Sequence, residues 1–157
     1  MGSASLVASA IALILLLITA YVIVGGTLST AEIIAFAQHE QAAQQEIRMR
    51  TSIEIVSATL TAGASPLVVE VRNVGQEPVS GFDNMEAYLV FADEPVLHPY
   101  GSGAGYWAYG GIIPDSIHPH QLDPDEVLTM SVAYSGVTAP VWVQVTTDRG
   151  VYDSAYV

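Results

Sequence analysis

The sequence predicts one N-terminal transmembrane α-helix and a helical stalk, followed by an all-β sandwich. Three observations carry this. Leu6 to Val24 is an apolar run of 19 residues. The first charged side chain is Glu32, so the whole net charge of −12 lies on residues 32–157. From Thr51 onward, short runs of alternating apolar residues are separated by Gly, Pro, Asn and Asp, the signature of strands and tight turns.

The run LVASAIALILLLITAYVIV is interrupted only by Ser9, Thr19 and the Tyr21 hydroxyl. As a helix it is roughly 28 Å long, close to the thickness of the hydrocarbon core. A cleaved secretory signal would have a basic start, a shorter apolar run and a small-residue cleavage site. Here Met-Gly-Ser-Ala-Ser precedes the run without Lys or Arg, so an uncleaved membrane helix is the expectation. Its packing positions are Leu6, Ala10, Leu13, Leu17, Tyr21, Val24, Gly25 and Gly26. Arg48 and Arg50 lie beyond the window in which positive charges orient a span. The acidic β-domain is expected on the extracytoplasmic side of a single-pass protein.

Gly25-Gly26 follows the run. Each Gly costs a helix interior about 1 kcal/mol, so a kink or a close helix approach is expected there. Ser29 or Thr30 is the expected cap of a fresh helical segment, with Glu32 favoured near its N-terminus. Ala, Gln and Glu, good helix formers, then dominate. Ile33, Phe36, Ala43 and Ile47 make one apolar stripe, interrupted by Glu40. Such a stripe packs on its own domain, on a membrane surface or on a second copy. The expected organisation is a membrane helix over 1–26, an amphipathic stalk over 27–50 and a β-sandwich over 51–157.

Seven strands are predicted: 51–60, 67–72, 85–91, 107–113, 127–134, 141–147 and 151–157. Gly-Ala-Ser-Pro, Asn-Val-Gly, Ser-Gly, Asp-Glu-Pro, Asp-Pro-Asp and Asp-Arg-Gly supply the turns between them. This is the arithmetic of an immunoglobulin-like β-sandwich. There is no cysteine, so packing alone must hold its core. The expected core is Val69, Val71, Leu89, Phe91, Leu128, Met130, Val132, Trp142 and Val145, with Trp142 at its centre.

Composition excludes whole classes of function. Arg48, Arg50, Arg72 and Arg149 are the only basic residues besides His, and there is no Lys. A chain so acidic has no grip on a nucleic-acid backbone or a polybasic contact with anionic lipid. Thiol catalysis and Cys-ligated metal sites are excluded. No catalytic motif is present, and Gly101-Ser102-Gly103-Ala104-Gly105 reads as a surface loop, because no helical pattern follows it. No enzyme activity, cofactor or metal is expected. His118-Pro119-His120 would need a third ligand from Asp115, Asp123 or His98, and its Pro favours an extended turn. Asp123-Pro124-Asp125-Glu126 reads as a β-turn with Pro at its second position, feeding the next strand.

Tyr100 to Gly111 is uncharged and rich in Gly and aromatic residues. Tyr100, Tyr106, Trp107 and Tyr109 are therefore candidates for a protein interface. The alternative is that these rings fold back over the sandwich. Its edge strands are a second candidate surface.

Three local patterns carry a family resemblance. They are Val71-Arg72-Asn73-Val74-Gly75 with Pro78 after it, Leu122-Asp123-Pro124-Asp125-Glu126 before a strand, and Asp148-Arg149-Gly150-Val151 between the last two strands. Together with the uncharged start, the single apolar helix and the Gln/Glu-rich stalk, the chain resembles the archaeal flagellin-like (archaellin or type IV pilin-like) family. Residues 47–55 and the Met-Gly-Ser start look closest to its archaellum accessory proteins FlaF and FlaG, FlaF foremost. The resemblance implies a flagellin-like β-sandwich and a non-enzymatic anchor or stator of the archaeal flagellum, important for motility. The β-domain would bind the surface layer (S-layer), other archaellum components and further copies of itself. The alternative is a filament subunit, an archaellin or type IV-like pilin in an extracellular filament, whose N-terminal helices pack as the core. The absence of a basic leader before the helix favours the accessory role.

Overall fold

A computed structural model of the 157-residue chain describes residues 2–61, 64–92, 94–136 and 138–157. Among the described residues, one long helix, α1 (Gly2–Arg50), and a short 3-10 helix (Phe82–Asn84, after the second strand) accompany eight strands. These are β1 (Ile53–Thr61), β2 (Ala64–Asn73), β3 (Glu86–Phe91), β4 (Glu94–Pro99), β5 (Tyr106–Ile113), β6 (Val127–Ala133), β7 (Trp142–Thr146) and β8 (Tyr152–Tyr156). The chain forms two compact units, Met1–Gln45 and Glu46–Val157, so the last turn of α1 belongs with the strands.

α1 runs unbroken through Gly25 and Gly26 and is long and apolar enough to cross a membrane. The expected fresh start at Ser29 or Thr30 is therefore corrected: both lie inside the helix. Their neighbourhood shows why. Thr27 Oγ1 donates to Val24 O at 2.9 Å and Thr30 Oγ1 to Gly26 O at 2.9 Å. These hydroxyls bond back into the preceding turn instead of capping a new one. Strong formers on both sides carry the helix across the two glycines. Arg48 and Arg50 occupy its last turn, where the helix dipole favours cations. The helix stops where β-branched Ile53 and Ile55 begin the alternation of β1.

The strands form two antiparallel four-stranded sheets, ordered β1-β2-β6-β5 and β4-β3-β7-β8. Lettered A, B, C, C′, D, E, F and G in chain order, this is ABED against C′CFG, the immunoglobulin arrangement. β4 is the strand that sequence reading missed. The Asp-Glu-Pro pattern predicts a turn at Glu94 and Pro95, yet both pair with β3, because an edge strand tolerates Pro on its unpaired side. Asp93 of that expected turn lies outside the described residues, as do Ala62 and Gly63 at the first hairpin.

Between the sheets, Leu67, Val69 and Val71 of β2 meet Leu89 of β3, Leu128, Met130 and Val132 of β6, and Val143 and Val145 of β7. All of these are fully buried. The central Trp is Trp107 on β5, fully buried, with Nε1 donating to Met85 O at 2.9 Å. Trp142 is only half-buried, and Phe91 lies at the core's margin. The period of two explains the exchange. Val143 and Val145 point inward on β7, so Trp142 points out.

Candidate functional site: a bonded helix junction and an aromatic sheet face

The three sequence patterns that carried the family resemblance meet at one place, where α1 joins the sandwich. Asn73 ends β2 and is fully buried. Its Nδ2 donates to Glu77 O and to Leu122 O, both at 2.8 Å, and its Oδ1 accepts from Gly75 N at 2.9 Å. Its backbone is bonded as well: Asn73 N donates to Glu126 O at 3.0 Å, and Asp125 N donates to Asn73 O at 2.8 Å. One amide thus ties the Asn-Val-Gly turn to the Asp-Pro-Asp turn. That second turn closes through Glu126 N to Asp123 O at 3.1 Å, with Asp125 left-handed at φ 67°. The expected turn at Asp123-Pro124 is present.

The Asn-Val-Gly turn in turn holds the end of the helix. Val74 N and Gly75 N both donate to Ser52 O at 3.0 Å, and Gln76 N donates to Arg50 O at 2.8 Å. Gly75 permits this closeness: a Cβ there would lie 2.5 Å from Ser52 N and 2.6 Å from Arg50 O. The Asp-Arg-Gly turn closes the other side. Arg149 Nη1 donates to Thr51 Oγ1 at 3.1 Å and to Pro78 O at 3.2 Å, while Arg48 Nη2 donates to Gly150 O at 3.4 Å. Arg50 pairs with Glu77 at 3.2 Å. Thr51, itself buried, returns its hydroxyl to Ile47 O at 2.9 Å. Three of the four arginines thus serve one junction. The planar, multi-donor guanidinium suits Arg149, which bridges two acceptors, better than the point charge of lysine would.

The second feature is the outer face of the β4-β3-β7-β8 sheet. The register sets three rows across it: Pro99, Glu86, Thr146 and Tyr152; Leu97, Tyr88, Gln144 and Ser154; Pro95, Val90, Trp142 and Tyr156. Glu86 is the one ionised group in these rows. It accepts the Tyr88 hydroxyl at 2.7 Å, and that hydrogen bond, with burial, pushes Tyr88 above its ordinary pKa of 10.0. Tyr156 is 85% exposed and Tyr152 64% exposed.

The aromatic residues expected to form an interface are placed differently. Trp107 is corrected to a core residue, since β5 turns its ring between the sheets. Tyr100 stacks edge-on against it at 4.9 Å. Tyr109 is half-buried beside Phe82, at 5.8 Å, and Tyr106 remains exposed. The sequence did not disclose the sheet-face set of Tyr88, Trp142, Tyr152 and Tyr156, which only the pairing of β3, β7 and β8 brings together. The helix positions Leu6, Ala10, Leu13, Leu17, Tyr21 and Val24 are exposed along α1, as are Ile33, Phe36 and Ile47, while Ala43 is partly covered. A Cβ at Gly25 or Gly26 would meet nothing within 4 Å.

The polar residues of the 115–126 loop bond one another. His118 Nδ1 lies 2.9 Å from Asp123 Oδ1, and His118 N donates to Asp123 Oδ2 at 2.9 Å. The His118 hydrogen bond holds the Asp123 carboxyl below its ordinary value. Asp115 accepts from His120 N at 3.2 Å. His98 is buried on β4 near Val96 O, and burial lowers its pKa. Among the described residues no three His, Asp or Glu side chains gather as a metal site would require.

No family model and no curated protein matches this chain. Solved structures do. The archaellum periplasmic stator protein FlaG from Sulfolobus acidocaldarius is similar over 68% of this chain and 99% of its own, with TM-score 0.55 and 23% identity. The archaellum periplasmic stator protein complex FlaF and FlaG from the same organism is similar over 68% of this chain and 89% of its own, with TM-score 0.54 and 22% identity. At these identities the shared property is the sandwich fold.

Proposed function

We propose that the chain is a membrane-anchored, non-enzymatic component of an archaellum apparatus, acting as an anchor or stator. The observation that supports this best is the junction at Arg48–Ser52. A tether under load needs its last helical turn joined stiffly to the domain it holds. Here that turn is bonded directly to two turns of the sandwich, and through Asn73 to a third, and these are the segments that resemble the archaeal flagellin-like family. The fold shared with FlaG and with the FlaF–FlaG complex adds to the reading. FlaG-like and FlaF-like roles both fit it.

In this reading the apolar run of α1 lies in the archaeal cell membrane, with the β-domain outside. The partners are surface-layer protein, other archaellum components and further copies of the chain. The outer face of the β4-β3-β7-β8 sheet is the surface offered to another β-domain. An acidic chain repels its own copies, and this face brings two of them together with the fewest charges opposed. Gly25 and Gly26 weaken α1 with no return inside the chain, which suits close approach of a second helix.

The test uses the full chain in detergent, mixed with isolated surface-layer protein and with solubilised archaellum components. Co-sedimentation with either is the expected outcome. Failure to bind both across a range of salt and pH would overturn the stator reading. Recovery of the chain as the major band of sheared filaments would establish a filament subunit instead.

A further inference from the structure

A cleft of about 340 Å³ opens next to the Pro99 end of β4, lined by Ser80, Phe82, Asp83, Tyr100, Tyr109 and His120. Its size falls within the roughly 300–1,000 Å³ of small-ligand sites. Its walls are aromatic. The Phe82 and Tyr109 rings are 5.8 Å apart, and the Tyr109 and His120 rings 6.0 Å. Its surroundings are anionic. Asp83 lines it, and the Asp148 carboxylate lies against Gly81, where a Cβ would meet Oδ2 at 2.6 Å. Asp115 holds the His120 backbone. Burial raises the pKa of Tyr109, and the charges of Asp115 and Glu126 add to that rise, which marks negative potential at the ring's hydroxyl. No arginine lines the cleft, and Arg149 is engaged at Thr51 and Pro78.

Aromatic faces beside carboxylates attract an organic cation: the ring quadrupoles and the carboxylate act on the same positive group. Tyr100 directly follows Pro99 of β4, so a protein seated on the sheet face has the cleft within reach of its side chains. We propose that this cleft receives a basic side chain, arginine or lysine, of a partner protein. The cation preference stands on the cleft alone; the choice of a protein as its source rests on the sheet-face reading.

The test is a titration of the full chain in detergent, followed by the ring signals of ¹³C-labelled tyrosine. The probes are ethylguanidinium and its neutral isostere ethylurea. The expected result is saturable shifts at Tyr100 and Tyr109 with ethylguanidinium and none with ethylurea; equal responses would overturn the cation preference. Asp83→Asn, at an exposed position that leaves packing intact, should weaken ethylguanidinium binding about threefold. Tyr109→Leu should weaken it about fivefold. Unchanged binding in both variants would remove the cleft from consideration. A blocked Ala-Arg-Ala tripeptide should bind at least as tightly as free spermidine; a tenfold preference for spermidine would overturn the protein source. Trp142→Ala should leave ethylguanidinium binding unchanged, so the sheet-face reading and the cleft fail separately.

Discussion

Two surfaces of this sandwich are built on opposite principles. At the junction with α1, polar groups are bonded to other polar groups: Asn73 uses its side-chain donors and acceptor together with its backbone N–H and C=O. On the outer face of β4-β3-β7-β8, Tyr152 and Tyr156 stand in water beside half-buried Tyr88 and Trp142, and the side-chain bonds there include Tyr88–Glu86 and Gln144–Thr146 at 3.3 Å. The first surface contributes stability inside one chain. The second leaves apolar area unburied, which costs solubility unless something covers it. The opposite sheet face sharpens the contrast. Its rows hold Glu54 opposite Arg72, Ser57 bonded to Glu70 at 2.8 Å, and Thr59, Val68 and Ser131, small or charged groups suited to solvent.

The largest effect should come from Asn73→Ala. It removes the amide bonds to Glu77 O and to the buried Leu122 O, which keeps only Val79 N as a donor, and the acceptor for Gly75 N, at a cost of about 3 kcal/mol, read by urea unfolding of the full chain in detergent. A loss below about 1 kcal/mol would break the idea that this amide organises the junction. Gly75→Ala drives a Cβ into the backbone of Arg50 and Ser52 and should cost about 2 kcal/mol by the same measurement.

On the aromatic face the readout changes from stability to association. Trp142→Ala should weaken self-association about tenfold in sedimentation of the full chain, with little change in unfolding midpoint. Thr59→Lys on the opposite face should leave association as it is. Equal weakening by both variants would erase the distinction between the faces. Arg149→Lys keeps the charge but loses one of two acceptors, for about 1 kcal/mol.

The smallest effect is that of pH. Burial depresses the pKa of His98 below its ordinary 6.5. The unfolded chain therefore binds a proton below about pH 6.5 that the folded chain does not, and stability falls as pH drops through that range. His98→Phe should remove this slope. The depressed pKa of Asp123 gives stability that is complete above its ordinary 3.8 and lost as pH falls further, and His118→Ala should shrink that second loss.

Much of the fold was legible because local chemistry writes it. An uncharged apolar run of 19 residues has few other fates than a long exposed helix. The period of two in VVEV, YLVF and LTMSV places Val69, Leu89 and Met130 inside without knowledge of their partners. The turn residues at 71–75, 122–126 and 148–151 were visible as turns, and their likeness to a family was visible too.

Other features were decided only by tertiary structure. Which Trp sits at the core depends on strand phase and sheet pairing, so Trp107 and Trp142 exchange the roles that composition suggests. β4 is a strand because β3 offers it a ladder, against the low propensity of its two prolines. The sequence set apart an uncharged rod, a stalk and an acidic β-domain. That two of the turns hold Arg48–Ser52, and the third is tied in through Asn73, is a fact of long-range contacts between residues up to 102 apart in sequence, and no local pattern encodes such contacts. Hydrogen bonds and close packing complete the junction only when the whole sandwich has formed.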